Sequence, residues 1–146
     1  MTIKVRVSDS NARVRLAEAT KYSSYLSPRG PAPDPWLEPI QTIEASGDVV
    51  VDYSLGKHCV VNVVGDIDSI SVVNWPVSGR IARLTLEFIN TGPYGITSWD
   101  STIMWPGGAV PDLTQGSNKR DRVILSTTDG GAVVYGDSVG FDYRTI

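Results

Sequence analysis

The segment Ala82-Arg83-Leu84-Thr85-Leu86-Glu87-Phe88 decides how this chain is read. Ala82, Leu84, Leu86 and Phe88 alternate strictly with Arg83, Thr85 and Glu87. A period of two puts the apolar side chains on one face of a strand and the polar ones on the other. This predicts a half-buried strand within 79–90 and a sheet with one face on a core.

The flanking stretches also read as strands. Val49, Val51 and Tyr53 alternate with Asp48, Val50 and Asp52. Cys59-Val60-Val61-Asn62-Val63-Val64 is a short apolar run, with Gly65 as its expected end. Ile70, Val72 and Val73 lead into Asn74-Trp75-Pro76, and Gly92-Pro93-Tyr94-Gly95 and Pro106-Gly107-Gly108 punctuate the remainder. No stretch of 40–146 carries a convincing 3.6-residue period. The expectation is an all-β fold: an antiparallel β-sandwich or jelly-roll-like body over 40–146.

Asp129-Gly130 predicts a hairpin, because a type I′ turn needs positive φ at both central residues. With those two residues as the loop, Leu125 faces Val134 and Thr127 faces Ala132. On the other side Ile124 faces Tyr135 and Ser126 faces Val133. Both faces then carry apolar pairs and call for cover, from a second sheet or from another subunit.

Residues 27–39 hold five of the nine prolines, Pro28, Pro31, Pro33, Pro35 and Pro39. Proline lacks the N–H that helices and inner strands need, so this piece reads as an extended connector. Residues 1–39 are therefore expected to form an extended N-terminal arm. Trp36 sits in the connector with no local core to enter and reads as an anchor for a neighbouring chain. Ahead of it, a hairpin at Asp9-Ser10 aligns Ile3, Val5 and Val7 with Leu16, Val14 and Ala12. Its other face sets Lys4 against Arg15 and Arg6 against Arg13. Like charges directly opposite are unfavourable, which favours a looser loop or an acidic docking partner, with a solvated basic face as the equal alternative.

Composition narrows the function. A chain of 146 residues suits one core, and 13 Lys+Arg against 16 Asp+Glu leave a net charge of −3. That balance argues against nucleic-acid binding. A single cysteine, Cys59, excludes an intrachain disulfide, and a single histidine, His58, excludes sites that need two. No apolar run approaches the roughly 20 residues that cross a bilayer, so no membrane insertion is expected. Met1–Val7 has no apolar signal core.

Catalytic constellations are missing from the pattern. His58 and Cys59 are adjacent, so in a strand they point to opposite faces and cannot work as base and nucleophile. Cys59 is expected inside. There is no Gly-x-Ser-x-Gly elbow, no phosphate loop and no dinucleotide fingerprint. Glu87 falls on the polar face of its strand and reads as a solvated charge. Asp66-Ile67-Asp68 reads as a turn rather than a calcium site, since an EF-type loop needs further ligands. The chain is expected to be non-enzymatic, with no cofactor and no metal. Lys119-Arg120-Asp121-Arg122 is the only dense basic cluster, expected as a solvated loop entering a strand, with phosphate or acidic polysaccharide as the sharper alternative. Tyr94, Trp99 and Trp105 fall near strand ends. They either plug the ends of the sandwich or offer stacking platforms for a glycan.

Three pieces of the chain occur in a recognisable order. Leu84-Thr85-Leu86-Glu87-Phe88-Ile89-Asn90-Thr91-Gly92 comes first, then Met104-Trp105-Pro106-Gly107-Gly108-Ala109-Val110-Pro111-Asp112-Leu113-Thr114. The third is Asp121-Arg122-Val123-Ile124-Leu125-Ser126-Thr127-Thr128-Asp129-Gly130-Gly131, followed by Val134-Tyr135-Gly136. Together they resemble a β-rich domain of bacteriophage virion proteins of the tail-fibre, head-fibre or decoration type. Those share a Trp-Pro-Gly-Gly-x-x-Pro-x-Leu-Thr segment, an Asp-initiated strand and an Asp-Gly-Gly turn before an aromatic-Gly end. The resemblance covers about half of the chain. It implies a virion structural subunit forming a homotrimer, attached through the arm to capsid, portal or tail proteins. The alternative is a carbohydrate-binding module for host surface polysaccharide, using Tyr94, Trp99 or Trp105.

Overall fold

The computed structural model describes residues 37–146. The expected attachment residues Lys4, Arg6, Arg13, Arg15 and Trp36 lie outside the described residues. The fold is all-β. Its strands are β1 (Ile40–Asp52), β2 (His58–Val73), β3 (Ala82–Asn90), β4 (Ile96–Trp99), β5 (Ile103–Met104), β6 (Lys119–Thr127) and β7 (Val134–Gly140). Short 3₁₀ turns occur at Tyr53–Leu55 and Pro106–Gly108. The strands hydrogen-bond in the order β1-β2-β3-β6-β7-β5, with β4 alongside β2.

Pairing is mixed. The expected antiparallel pairing is found for β3–β6 and β6–β7, whereas β1–β2, β2–β3, β2–β4 and β5–β7 are parallel. The parallel part has an unusual cause. Only residues 53–57 separate β1 from β2, yet Ile40 lies beside His58. Thirteen straight residues reach about 40 Å, and five linking residues span at most about 18 Å. β1 must therefore bend back on itself. Its register against β2 shifts on both sides of Gly47, which has φ +64. β2 bends in parallel. Its first part, His58–Val63, pairs with β3, and its later part, from Ile67, pairs with β4. Gly65, expected to end a strand, instead lies within one of 16 residues.

The chain thus climbs in stacked rungs: β1, then β2, then β3 with β4. Gln41 closes the first rung. It is buried, and its Nε2 donates to the carbonyls of Asp52 at 2.9 Å and Gly56 at 2.8 Å, tying the start of β1 to its far end. Gly56 passes so close to the Pro39 carbonyl that no side chain fits there.

The decisive alternation holds. Ala82, Leu84, Leu86 and Phe88 are fully buried, and the last three meet Cys59, Val61, Val63, Val123 and Leu125 in one core. Each buried Val, Leu or Phe there contributes roughly 1.5–3 kcal/mol by leaving water. Asn90, the next inward position, is polar. Its Nδ2 donates to Tyr94 O at 2.7 Å and Thr114 O at 3.2 Å, while its Oδ1 accepts from Gly92 N–H.

The hairpin differs from the expected register. β6 ends at Thr127 and β7 starts at Val134, so the loop is six residues long. Leu125 stands opposite Gly136, Ser126 opposite Tyr135 and Ile124 opposite Asp137. Side-chain hydrogen bonds hold the wider loop. Asp129 Oδ1 accepts from Val133 N–H at 3.0 Å, and Thr127 Oγ1 accepts from Gly131 N–H at 3.1 Å. Gly130 and Gly131 both adopt positive φ, and the Trp75 ring fills the space where a Gly131 side chain would be. These local bonds outweigh a two-residue turn. With the shift, Val133 leaves the strand and Ile124 faces a carboxylate. The outward side of the hairpin is mixed, not apolar as expected.

Candidate functional site

The three motif pieces converge in space through packing. The Trp105 ring lies against Gly136, where a Cβ would collide with it. Trp105-Pro106-Gly107-Gly108 turns tightly because both glycines adopt positive φ. Leu113 then enters the core. Thr114 meets the first acid of the third piece. Its N–H donates to Asp121 Oδ2 at 2.6 Å and its hydroxyl to Oδ1 at 2.8 Å, while Asp142 N–H also donates to Oδ1 at 2.8 Å. Asp121 is buried with these three donors. The Trp, the glycines, Thr114 and Asp121 therefore set the geometry of the β5–β6–β7 end. Sequence reading placed Asp121 in a solvated basic loop. The signal for its role was its place at an inward position of a strand, in phase with Val123 and Leu125.

The aromatic residues divide. Trp99 and Trp105 come together, with ring centroids 4.9 Å apart at 70°, and Trp99 also meets Phe88 edge-on at 5.9 Å. Trp99 Nε1 donates to Pro111 O at 3.1 Å. Tyr94 stays apart and lies over Gly92. All three pack against the core and keep partial exposure. Tyr135 and Met104 occur in the motif pieces, but the sequence pattern gives neither of them a site role. They stand opposite each other on β7 and β5, each more than half exposed at 53% and 57%.

Tyr135 and Met104 border a shallow groove of about 220 Å³, completed by Trp105, Pro106, Gly136 and Asp137. The groove exists because β5 is only two residues long. Beyond Tyr135, no strand among the described residues lies beside β7 on that side. A second groove, of about 450 Å³, is lined by Asn118, Arg120, Tyr143, Arg144 and Thr145. Both its arginines are already paired, Arg120 with Glu87 and Arg144 with Asp142.

Charge differs between the outward sides of the strands: of the acidic residues on β1 and β2, Glu44 lies on the segment that continues the sheet of β3 and β6, whereas Asp48, Asp66 and Asp68 lie past the bends, on the part that leads to β4. The outward positions of β1 and β2 include Glu44, Asp48, Asp66 and Asp68 and no Lys or Arg. The outward positions of β3 and β6 include Arg83, Arg120 and Arg122, with Glu87 as the only carboxylate. Glu87 binds His58 Nε2 at 3.3 Å and Arg120 at 3.1 Å. Arg122 lies opposite Glu87 in register, and its enclosed Nε meets no hydrogen-bond partner among the described residues. Apolar Ile40, Val60, Val64, Ile89 and Ile124 are interspersed on the same strands. Asp66 Oδ1 accepts from Gly95 N–H, and Asp68 is exposed.

His58 and Cys59 point to opposite faces, as expected for neighbours in a strand. Cys59 is buried, and desolvation raises its thiol pKa to about 11, so it is protonated at neutral pH. Among the described residues no three His, Cys, Asp or Glu side chains cluster to hold a metal ion. No helix among the described residues is long and apolar enough to cross a membrane. No protein-family model, no curated protein and no solved structure matches this chain.

Proposed function

We propose that this protein is a non-enzymatic structural subunit of a bacteriophage virion, a homotrimeric fibre or decoration protein attached through its N-terminal arm. Two lines support the reading. The ordered motif pieces of the resemblance act as one packed unit, with Trp105 on Gly136 and Thr114 on Asp121. The observation that carries assembly is the difference in charge between the outward sides of the strands. Glu44 at the β1 edge and the arginines of β3 and β6 are complementary to each other but not to themselves. A contact between unlike patches is heterologous and closes into a ring when the rotation permits. Glu44 of one copy then faces Arg120 and Arg122 of the next, and the apolar residues outward on the same strands leave water. Opposed charge sets register and rate, and apolar burial supplies most of the affinity.

Light scattering on the full chain tests this. A subunit of 15.8 kDa predicts a particle of about 47 kDa, three times the chain mass. The double substitution Arg120→Glu with Arg122→Glu is expected to yield monomers at the same concentration. Adding Glu44→Arg is expected to restore assembly in part. A wild-type chain that stays at 15.8 kDa at high concentration overturns the assembly reading.

A second reading, a glycan-binding module, is favoured by the groove beside Tyr135. Its substance lies in the chemistry of that groove.

A further inference from the structure

We infer that the groove at the β5–β7 edge binds a single neutral pyranose ring, with Tyr135 as the stacking platform and Asp137 as the hydroxyl acceptor. This deepens the glycan-binding reading and does not depend on trimer formation.

The lining selects the ligand class. Tyr135 and Met104 stand side by side in register and expose large apolar surfaces to solvent. A flat ring with a polar tip suits a ligand that is apolar on one side and wet on the other. Asp137 follows two residues along β7, on the same face as Tyr135, and it also lines the groove. An ionised carboxylate only accepts hydrogen bonds, so it calls for a ligand rich in hydroxyl donors. A purely apolar ligand would desolvate this carboxylate without compensation. An anionic ligand would meet Asp137 with no Lys or Arg in the lining. A pyranose satisfies both demands: its axial C–H face lies on the tyrosine ring while its edge hydroxyls reach the carboxylate. Past Tyr135 the β7 backbone pairs with no strand on that side among the described residues, and it offers further hydrogen bonds at the same edge.

Size and shape limit the ligand further. A space of about 220 Å³ is smaller than the roughly 300–1,000 Å³ of sites for drug-sized ligands. It takes one ring of a longer glycan. The floor is rigid, because Trp105 is wedged between Gly136 and Trp99. So few ligand atoms, in an open groove, predict millimolar affinity for a monosaccharide. Such weak sites become useful when several are presented together.

Saturation-transfer NMR on the full chain, with methyl glycosides of glucose, galactose and mannose, tests the inference. At least one glycoside is expected to receive saturation, strongest at the C–H protons of one ring face. Tyr135→Ala is expected to weaken binding at least tenfold, whereas Tyr135→Phe keeps most of it. Asp137→Ala is expected to weaken it severalfold. Circular dichroism confirms that each variant folds, and chemical-shift mapping on the wild-type chain locates the site without any substitution. The inference is overturned if none of the three glycosides receives saturation. It is equally overturned if shifts map away from Tyr135, or if methyl glucuronide binds more tightly than methyl glucoside. Light scattering on the same samples separates the two readings: a sugar-binding monomer sinks the trimer and leaves the groove intact.

Discussion

The parallel rungs and the antiparallel hairpin solve the same problem in different ways. From β1 to β4 the chain stacks on itself, and each of the first two rungs is one bent strand. Gln41 closes the first with two hydrogen bonds to carbonyls eleven and fifteen residues away. At the other end, β6 and β7 are neighbours in sequence and pair through a loop fastened by Asp129 and Thr127. The rungs depend on contacts distant in sequence, which cost loop-closure entropy before they contribute stability. The hairpin depends on pairs nine to eighteen residues apart, zipped outward from its loop. β3 is the seam, parallel to β2 on one side and antiparallel to β6 on the other. One amphipathic strand thus joins two topologies, because its inward face supplies a core to both.

The largest expected effect comes at that seam. Phe88 lies beside Val61 of the rungs and Asp121 of the hairpin, and its ring meets Trp99. Phe88→Ala is expected to cost about 3–5 kcal/mol. Urea denaturation should show one transition moving to lower concentration, since both regions lose the same anchor. Two separated transitions would mean that rungs and hairpin fold independently.

A smaller effect isolates the rungs. Gln41→Ala removes both donors from the carbonyls of Asp52 and Gly56 and is expected to cost about 1–3 kcal/mol. Hydrogen exchange should quicken along β1 while the amides between β6 and β7 keep their protection. Equal loss in both places would erase the distinction drawn here.

The smallest effect belongs to the hairpin loop and depends on pH. The bond from Val133 N–H, followed by that from the Thr127 side chain, holds the Asp129 carboxyl below its ordinary value of 3.8. A depressed folded pKa stabilises the folded state above the unfolded value. That contribution disappears as the pH falls from about 3.8 through the folded value. The Val133 amide resonance is expected to move over this window in the wild type and to stay fixed in Asp129→Asn.

Much of the fold is legible in the residues. The alternation from Ala82 to Phe88 reports a one-sided strand because side chains in a strand point alternately to opposite faces. Cys59 is legible as buried for the same reason. The pairing partners are not legible. Nothing local in Ile40–Asp52 says that this strand folds back to lie beside its own successor. The hairpin register is also lost to local reading, because Asp129-Gly130 is a sufficient turn signal by itself. Only the Thr127, Asp129 and Trp75 contacts select the wider loop. Of the candidate surface, Trp105 is visible as an aromatic near a strand end. Tyr135 and Asp137 gain their meaning only from the short β5 beside them, a feature of three-dimensional pairing.

What the sequence determined by itself is the class and one inward set: an all-β chain with Ala82, Leu84, Leu86 and Phe88 turned to a core. Those follow from a period of two, which is a property of the backbone. What only the tertiary structure decided is which strands run parallel and where the charged sides lie. It also decided that a groove opens beside Tyr135. Strand pairing joins residues that are distant along the chain, and hydrogen bonds between backbones carry no label of the side chains they bring together.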